Sequence, residues 1–449
     1  MRYRVIILGA GPAGLGAGYN FYRRKHPSWK IFEATRRVGG LSSSRVDKNG
    51  FTWDLGGHVI FSQNSFFNSL VEKTLGRDAL TIVRRSYVMM SGRFIPFPLQ
   101  NNIHRLPKKA MEDCFAGMKE VSENRGRAGQ SGRPKNFEQW VSQNLGVGIA
   151  KHFMLPHNRK LWAFPLDRMG FGWIDGRVAL PSLKFLVRSI KTGGDETTWG
   201  PNARFRFPQG GGTGSLFSRI AEPFIENIAF RHEAAAIDPA NRKVLFKDGS
   251  FAMYKNLITS APLDVLIKKI IVDPPADVLQ AAADLRFNSG WMVGIGINRK
   301  IETKRSWVYF PERKFPFYRV TYFSNYSPSH VPHPETQTSF LCEVSFGETK
   351  MVNGATVIDE TVEGLVRSRL IRRDDVKRIA TRWKLKINRL YPIPSLKRDA
   401  ALEIIKRYLE KHGILSIGRF GGWRYEKGNM DHCFMAGYNS AAMLCRKGD

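Results

Sequence analysis

Residues 3–25 read YRVIILGAGPAGLGAGYNFYRRK and carry the clearest fold signal of the sequence. A β-branched apolar run, Val5 to Leu8, precedes glycines at positions 9, 11 and 14 in the spacing GxGxxG. This spacing predicts a strand, a tight turn and a helix. Gly9 allows the turn, Gly11 lets backbone approach a pyrophosphate, and Gly14 lets the helix pack close to the strand. Because the N-terminus of such a helix faces phosphates, the stretch predicts a dinucleotide site.

A second predicted strand, WKIFE at residues 29–33, ends in Glu33, nineteen residues after Gly14. An acid at this distance binds the ribose hydroxyls of a dinucleotide. Its charge repels a 2′-phosphate, so Glu33 favours FAD or NAD over NADP.

The length of 449 residues exceeds what one hydrophobic core usually supports, which predicts two or three packed units. With 42% hydrophobic and 24% charged residues, the composition is that of a globular protein. No apolar run approaches the roughly 20 residues of a membrane span. The four cysteines form no CxxC pair and no metal-ligand spacing, so the sequence predicts reduced thiols, a cytoplasmic location and no metal.

The formal net charge of +31 is spread over the whole chain and forms no basic tail. Its densest cluster, RSRLIRRDDVKRIATRWKLKINR at residues 367–389, is interpreted as a solvated helix and strand face. No DNA- or RNA-binding module accompanies it. We therefore expect neither nucleic acid nor a membrane as a partner. The remaining interpretation of the positive charge is that it attracts an anionic small molecule.

Two stretches after Glu33, EATRRVGGLSSSRV (33–46) and GFTWDLGGHVIFS (50–62), resemble flavoproteins such as amine oxidases, phytoene desaturases and UDP-galactopyranose mutases. The resemblance implies FAD as the cofactor. Near the C-terminus, a predicted short strand, a glycine turn and a helix beginning near Asp431 would return to the same cofactor. On this resemblance the FAD would contact Gly9, Gly11, Pro12, Ala13, Gly14, Glu33, Ala34, Gly39, Gly40, Leu41, Gly56, Gly57, His58, Ala234, Gly418, Asn429, Met430 and Asp431.

Further motifs narrow the resemblance to the UDP-galactopyranose mutases, closest to their eukaryotic branch. They are WGPNARFRFPQGGGTG (199–214), FYR (317–319), FSNYSP (323–328) and GRFGGWRYEKGN (418–429). The resemblance implies a redox-neutral interconversion of UDP-galactopyranose and UDP-galactofuranose. Reduced FAD would act as the nucleophile on the anomeric carbon, and arginines would hold the UDP diphosphate.

The stretch FPFYRVTYFSNYSP, residues 315–328, places six aromatic rings around Arg319 with no acid near it in sequence. Period-2 alternation predicts that Phe317, Arg319, Thr321 and Phe323 share one face of a strand. The resemblance implies that Arg319 and Arg177 grip the diphosphate and that His58 lies beside the flavin. Two guanidiniums suit this role because they make directed, charge-assisted bonds to phosphate oxygens.

The remaining substrate contacts also come from the resemblance. Gln100 would bond the uracil edge, with Phe97 and Phe153 stacking on its face. The stretch around Asn202 resembles a mobile flap. The other positions implied for the substrate are Asn158, Trp162, Trp307, Tyr309, Tyr326, Tyr391, Arg419, Tyr425 and Asn429.

Three residues depart from the eukaryotic branch. Phe97 and His157 stand where that branch carries tyrosines, and Met430 replaces a glutamine. These departures leave other UDP-sugars open, namely UDP-N-acetylgalactosamine, UDP-arabinopyranose or a 6-deoxy sugar. Two rivals on the same fold are a flavin amine oxidase or desaturase, and a binding protein like the dissociation inhibitors of prenylated small GTPases.

The predicted fold is α/β, with a Rossmann-like FAD-binding domain, a helical insertion and a mixed β-sheet substrate domain. The FAD-binding domain is discontinuous, at residues 1–95, 205–260 and 400–449. Residues 100–190 form the helical insertion, 191–204 the flap and 261–399 the sheet domain. The expected partners are a UDP-sugar, an external reductant such as NAD(P)H and further copies of the chain.

Overall fold

The computed structural model of the chain describes residues 2–125, 132–174 and 176–446. Its strands are β1 (Arg2–Leu8), β2 (Trp29–Glu33), β3 (Ser44–Val46), β4 (Thr52–Asp54), β5 (Ala79–Val83), β6 (Ser86–Met90), β7 (Arg93–Pro96), β8 (Arg204–Pro208), β9 (Ile228–Phe230), β10 (Ala234–Asp238), β11 (Lys243–Phe246), β12 (Phe251–Thr259), β13 (Arg286–Ile297), β14 (Trp307–Tyr309), β15 (Arg319–Tyr322), β16 (Thr338–Phe346), β17 (Ile379–Ile393) and β18 (Ile414–Ser416).

Its α-helices are α1 (Pro12–Arg23), α2 (Ser65–Leu75), α3 (Lys108–Arg125), α4 (Phe137–Ile149), α5 (Leu155–Trp162), α6 (Leu183–Thr192), α7 (Gly212–Ala221), α8 (Leu263–Val265), α9 (Ala276–Asp284), α10 (Val357–Arg367), α11 (Arg398–Lys411), α12 (Gly418–Gly421) and α13 (Met430–Arg446). Strands and helices are both abundant, so the α/β class predicted from the sequence is confirmed.

The first sheet contains the glycine-rich start of the chain. Its order is β10-β11-β12-β1-β2-β9, and β18 pairs with β12. Strand β1 runs parallel to both β2 and β12, so the carboxyl ends of all three strands meet at one edge. The predicted strand, turn and helix at residues 3–25 are confirmed as β1 and α1. Apolar residues of β1 alternate between two buried clusters, one on each face of the sheet.

The last helix, α13, lies against α1. Gly16 and Gly437 make this close crossing possible, because a Cβ on Gly437 would lie 1.8 Å from the Ala13 oxygen and one on Gly16 would lie 2.0 Å from the Phe434 oxygen. The C-terminal segment thus returns to the first turn, as the sequence predicts.

The second sheet has the order β17-β13-β16-β15-β14-β6-β7. Its strand pairs are antiparallel except for the parallel pair of β14 and β6. Strands β6 and β7 belong to this sheet, although the sequence analysis places residues up to 95 with the FAD-binding unit. Strand register places Arg319 on β15 between Tyr309 on β14 and Glu343 on β16.

Helices α3 to α6 form a separate layer whose core also contains Val88 of the second sheet and Ile393 of β17. Within this layer α3 and α4 approach closely, since a Cβ on Gly148 would lie 2.1 Å from the Asp113 oxygen. The layer holds residues 153–162 against the second sheet: Asn288 of β13 donates its Nδ2 hydrogen to the Leu161 oxygen at 2.8 Å. Among the described residues, no helix is both long enough and apolar enough to cross a membrane.

Candidate active site

The glycine turn at the end of β1 forms a backbone cradle. Gly9 has a φ of 97°, which favours glycine, and a Cβ on Gly14 would lie 1.8 Å from the Gly9 oxygen. Helix α1 begins at Pro12, and no side chain caps its N-terminus. The first-turn amides are therefore available to an anion, as the pyrophosphate of FAD requires.

Glu33 lies at the end of β2 beside this cradle and is buried. Its Oε2 accepts a hydrogen bond from the Ala10 nitrogen at 2.7 Å. Its Oε1 accepts from the Thr35 nitrogen and hydroxyl, both at 2.8 Å. These bonds fix the carboxylate without using all its lone pairs, so it can still accept from ribose hydroxyls.

Other predicted cofactor residues surround the same turn. A Cβ on Gly40 would lie 3.1 Å from the Gly11 Cα, and one on Gly418 would lie 3.0 Å from the Ala13 Cβ. The Asp431 carboxyl in the first turn of α13 accepts from the Ser62 hydroxyl at 2.6 Å, while its Oδ1 is buried and has no partner among the described residues. These observations fit FAD, because its phosphates can approach the backbone closely only where glycine leaves no side chain in the way.

The remaining residues predicted to contact the cofactor are Ala34, Ala234, Leu41 and Met430. Ala34 follows Glu33 directly, and the His232 nitrogen donates to the Glu33 oxygen at 3.0 Å, which brings β10 and its first residue Ala234 to this end of the sheet. Leu41 packs against the cores of both sheets. Met430 begins α13 and packs against the core of the first sheet.

The GGH turn at residues 56–58 joins the cradle to the second sheet. A Cβ on Gly57 would lie 2.8 Å from the Thr321 hydroxyl and 3.0 Å from Nη2 of Arg319, so only glycine fits against this arginine. Burial, and then the charges of Arg419 and Arg319, lower the pKa of His58 to about 3. The imidazole is therefore neutral at physiological pH, and its buried Nδ1 has no partner among the described residues.

Arg319 has a partner that its local sequence does not contain. Its Nε and Nη2 donate to the Glu343 carboxylate, the latter at 2.9 Å, and Glu343 is 1% exposed. The Tyr318 hydroxyl donates to the same carboxylate at 3.0 Å and lies 3.3 Å from the Tyr391 hydroxyl. These bonds to Glu343 use Nε and Nη2 of the guanidinium.

The period-2 prediction for this strand is wrong at Phe317. Strand β15 begins only at Arg319, and Phe317 packs in the cluster of Val320 and Tyr322, on the opposite side from Arg319. Tyr318 instead contacts Glu343. The irregular backbone before Arg319 shifts the alternation by one residue.

Two further arginines reach the same group of tyrosines. The Arg177 guanidinium lies 4.9 Å from the centre of the Tyr425 ring and donates to the Glu426 oxygen at 2.7 Å. The Arg419 guanidinium lies 5.6 Å from the ring centre of Tyr391. The rings of Tyr391 and Tyr425 are 5.6 Å apart, so Arg177, Arg419 and Arg319 surround one tyrosine cluster.

Aromatic rings form the other end of the site, beyond Tyr309. The Tyr309 ring centre lies 5.2 Å from that of Phe97 and 5.3 Å from that of His157. The His157 ring stacks on Phe153 at 5.3 Å. Buried Gln100 donates only to the Met154 sulfur at 3.7 Å, and its Oε1 has no partner among the described residues. A flat base with polar edges would match this set.

The structure uses some predicted residues for internal bonds. Asn158 donates to the Met154 oxygen and accepts from Nε1 of Trp162, and Trp162 is fully buried beneath Tyr425. Asn202 accepts from Nη1 of Arg84 at 2.5 Å. The Asn429 oxygen accepts from the Cys433 nitrogen in the first turn of α13.

Two more residues that were predicted to contact the substrate carry buried polar groups. Nε1 of Trp307 and the hydroxyl of Tyr326 are buried, and neither has a partner among the described residues. Burial is the main reason that the pKa of Tyr326 is raised, so its hydroxyl keeps its proton.

Sequence reasoning missed Glu343 and Arg84. Glu343 is the one acid in the apolar strand TSFLCEVSF, and a lone carboxylate in such a strand indicates a buried ion pair. Arg84 lies in VRRS at residues 83–86, where no local feature separates it from Arg85.

Comparison with known proteins gives a consistent result. The family model of flavin-containing amine oxidoreductases matches residues 12–363. A crystal structure of reduced UDP-galactopyranose mutase superposes with a TM-score of 0.94 and 36% identity, covering 100% of this chain and 94% of that one. Wild-type putrescine oxidase (TM-score 0.66, 15% identity, 99% of both chains) and a fatty acid isomerase from P. acnes (0.65, 12%, 98% of both) share the fold alone. FAD is thus the cofactor of this chain. The chain belongs to the flavin-containing amine oxidoreductase family and, within it, to the UDP-galactopyranose mutases, which are isomerases.

Proposed function

We propose that the chain interconverts UDP-galactopyranose and UDP-galactofuranose, with Arg319 and Arg177 holding the UDP diphosphate. The observation that carries the proposal is the convergence of three guanidiniums, Arg177, Arg319 and Arg419, on the cluster of Tyr391 and Tyr425. An amine or a polyene carries no anionic group for these guanidiniums to bind, whereas a diphosphate carries one.

The charges of this cluster match the proposed ligand. Glu343 neutralises one of the three guanidiniums, since it accepts two hydrogen bonds from Arg319. About two positive charges remain, equal to the charge of about −2 on the diphosphate of a UDP-sugar. In a partly buried site such a balance stabilises the bound nucleotide more than it would in water.

The protein residues then have separate tasks. Reduced FAD, when bound, supplies the nucleophile for the anomeric carbon. Arg177 and Arg319 stabilise the departing UDP by electrostatic contact and keep it in place until it returns. The hydroxyl of Tyr391 lies beside them and keeps its proton, since burial and Glu343 raise its pKa to about 12.

His58 and the GGH turn complete the sugar end of the site. Neutral His58 can accept or donate one hydrogen bond at Nδ1, which has no partner among the described residues, without adding a third uncompensated charge. Gly57 leaves no side chain between this turn and Arg319, which brings the flavin side and the diphosphate side of the site together.

The nucleobase end selects uracil in this proposal. Phe97 and Phe153 supply ring faces, and Oε1 of Gln100 is a buried acceptor that can take the N3–H of uracil. The same chemistry on UDP-N-acetylgalactosamine, UDP-arabinopyranose or a 6-deoxy sugar is the alternative, since Arg177 and Arg319 are assigned to the UDP portion alone.

The wider setting is also part of the proposal. We infer a reductant such as NAD(P)H, because the flavin must be reduced to act, and we expect further copies of the chain as partners. The four cysteines form no disulfide among the described residues, and three of them are buried, which supports a reducing cytoplasmic location.

The test is to reduce the purified protein with dithionite, add UDP-galactofuranose and separate the products by chromatography. Conversion to UDP-galactopyranose in the reduced sample and none in the oxidised control is the expected result. Binding without conversion would redirect the assay to the alternative UDP-sugars. Oxygen uptake with an amine, and no mutase activity, would overturn the proposal in favour of an oxidase.

A further inference from the structure

We propose that Arg398 is a positioning residue that binds the Glu426 carboxylate and thereby keeps Arg177 free to bind the UDP diphosphate. The inference rests on the proposed function, because it takes Arg177 as a ligand of the diphosphate. It adds a residue that acts on the substrate only through a second arginine.

Arg398 forms a buried ion pair with Glu426. It is the first residue of α11, and its side chain is only 5% exposed. Its Nη1 donates to one carboxylate oxygen of Glu426 at 3.0 Å, and its Nη2 donates to the other at 3.2 Å. A guanidinium that bonds both oxygens of one carboxylate makes a strong and directed ion pair. This pair therefore differs from exposed ion pairs, which contribute little to stability.

Glu426 also contacts Arg177, through its backbone. It belongs to the turn Tyr425–Lys427. Nη2 of Arg177 donates to the backbone oxygen of Glu426 at 2.7 Å, and the guanidinium lies 4.9 Å from the centre of the Tyr425 ring. Neither of these two contacts involves a formal negative charge, so neither compensates the charge of Arg177. One residue thus meets two arginines, with its carboxylate on Arg398 and its backbone oxygen on Arg177.

Without Arg398, the Glu426 carboxylate would compete with the diphosphate for Arg177. The carboxylate belongs to the residue whose backbone already bonds Arg177, so a change of side-chain rotamer would bring the two opposite charges together. Arg398 opposes this change because it binds both carboxylate oxygens.

The charge balance of the site shows why this competition matters. Glu343 already neutralises Arg319, since it accepts two hydrogen bonds from that guanidinium. If Glu426 neutralised Arg177 as well, about one positive charge would face the charge of about −2 on the diphosphate. Arg398 therefore preserves the positive charge that the site offers to the nucleotide.

The other charges near this pair lie at the surface. Asp399 accepts from Nε of Arg398 at 3.1 Å, and its side chain is largely exposed. Arg424 is exposed as well and lies 3.3 Å from Asp399 and 3.5 Å from Glu426. Solvent screens the contact of Arg424 with Glu426, so we expect Arg398 to hold the carboxylate. Arg424 is thus the matched control for Arg398.

The experiment is isothermal titration calorimetry of UDP with the FAD-loaded protein. Arg398→Met should weaken UDP binding about tenfold, the effect of losing one hydrogen bond between charged groups. Arg398→Lys keeps a cation beside Glu426 and should recover most of that loss. Arg424→Met should bind UDP as the wild type does. Wild-type affinity in Arg398→Met would overturn the proposal.

A double variant separates this role from simple support of the turn. Glu426→Gln removes the competing charge, so UDP should bind with wild-type affinity both in Glu426→Gln and in Arg398→Met combined with Glu426→Gln. If Arg398 only supported the turn, neutralising Glu426 would not restore binding. A double variant that binds UDP as weakly as Arg398→Met would therefore overturn the proposal.

The wild type and Arg177→Ala show whether the proposed function itself fails. If the wild type binds no UDP, or if Arg177→Ala binds it with wild-type affinity, the diphosphate assignment and this inference both fail. If Arg177→Ala weakens binding and Arg398→Met does not, only the role of Arg398 is refuted. Should Arg398→Met fail to fold, Glu426→Gln decides alone, since weaker UDP binding there would refute the competition and unchanged binding would support it.

Discussion

Replacing Glu343 by glutamine tests the assignment of Arg319 directly. The carboxylate is 1% exposed and accepts hydrogen bonds from Arg319 and from the Tyr318 hydroxyl. Glutamine keeps the shape but removes the charge and turns an NH₂ group toward these donors. Breaking a buried ion pair on one side costs about 3 to 5 kcal/mol, and the 17% exposure of the Arg319 side chain places this pair near the lower value.

The thermal consequence can be worked from the chain length. At about 2.1 cal/mol/K per residue, 449 residues unfolding together give an entropy near 0.9 kcal/mol/K. A loss of about 3 kcal/mol then lowers Tm by about 3 °C. Differential scanning calorimetry of the FAD-loaded protein resolves such a change.

The decisive measurement is the same scan with saturating UDP. In Glu343→Gln the buried charge of Arg319 lacks a counter-ion, and the UDP diphosphate would supply one. UDP should therefore raise Tm more in the variant than in the wild type, and recover much of the loss. This follows because a ligand that compensates a buried charge in the folded state adds that compensation to its stabilisation.

The matched control is Asp375→Asn. Asp375 is also buried and pairs with Arg299 at 2.6 Å, but it lies among the loops after α10, apart from the tyrosine cluster. We expect a similar loss of Tm without any extra rescue by UDP. Equal UDP shifts in Glu343→Gln, Asp375→Asn and the wild type would refute the placement of the diphosphate at Arg319.

Three further outcomes are expected. Arg177→Ala should keep its yellow FAD absorbance and lose turnover by about 10²- to 10³-fold, as removal of one electrostatic donor does in other enzymes; near wild-type turnover would contradict the diphosphate assignment. Gly14→Ala should purify without bound FAD, because its Cβ would lie 1.8 Å from the Gly9 oxygen; retention of flavin would show that the turn can shift. Burial, with smaller effects from Lys160 and Arg319, lowers the pKa of His157 to about 3, so this neutral histidine contributes stability above about pH 6.5 that is lost as pH falls toward 3. Urea unfolding of His157→Phe should show a weaker loss of stability over that range, and an unchanged pH dependence would exclude the effect.

Local signals made the first unit of the fold predictable. The GxGxxG turn requires bare backbone whatever surrounds it, so β1, α1 and β2 follow from residues 3–33 alone. The helix predicted near Asp431 begins at Met430 for a similar reason, since a glycine-rich turn precedes it. Where geometry is set within a few residues, sequence pattern is sufficient.

The partner of Arg319 could not be predicted in that way. Glu343 lies twenty-four residues away and becomes its neighbour only because β15 and β16 pair in one particular register. A shift of one residue would point Glu343 to the opposite face. The same limit applies to Arg84, whose flap contacts span more than a hundred residues of chain.

Unpaired buried groups give an independent argument for where the substrate binds. Buried polar atoms almost always find a partner, because an unmet one costs about 1 to 3 kcal/mol. Among the buried atoms without a partner in the described residues are His58 Nδ1, Gln100 Oε1, His157 Nδ1 and the Tyr326 hydroxyl. These four come from four separate segments: His58 was predicted beside the flavin, Gln100 and Tyr326 as substrate contacts, and His157 lies next to the predicted contact Asn158. A polar ligand that extends from the flavin turn to the nucleobase end of the site would supply hydrogen bonds to these four atoms, which is what the proposed UDP-sugar requires.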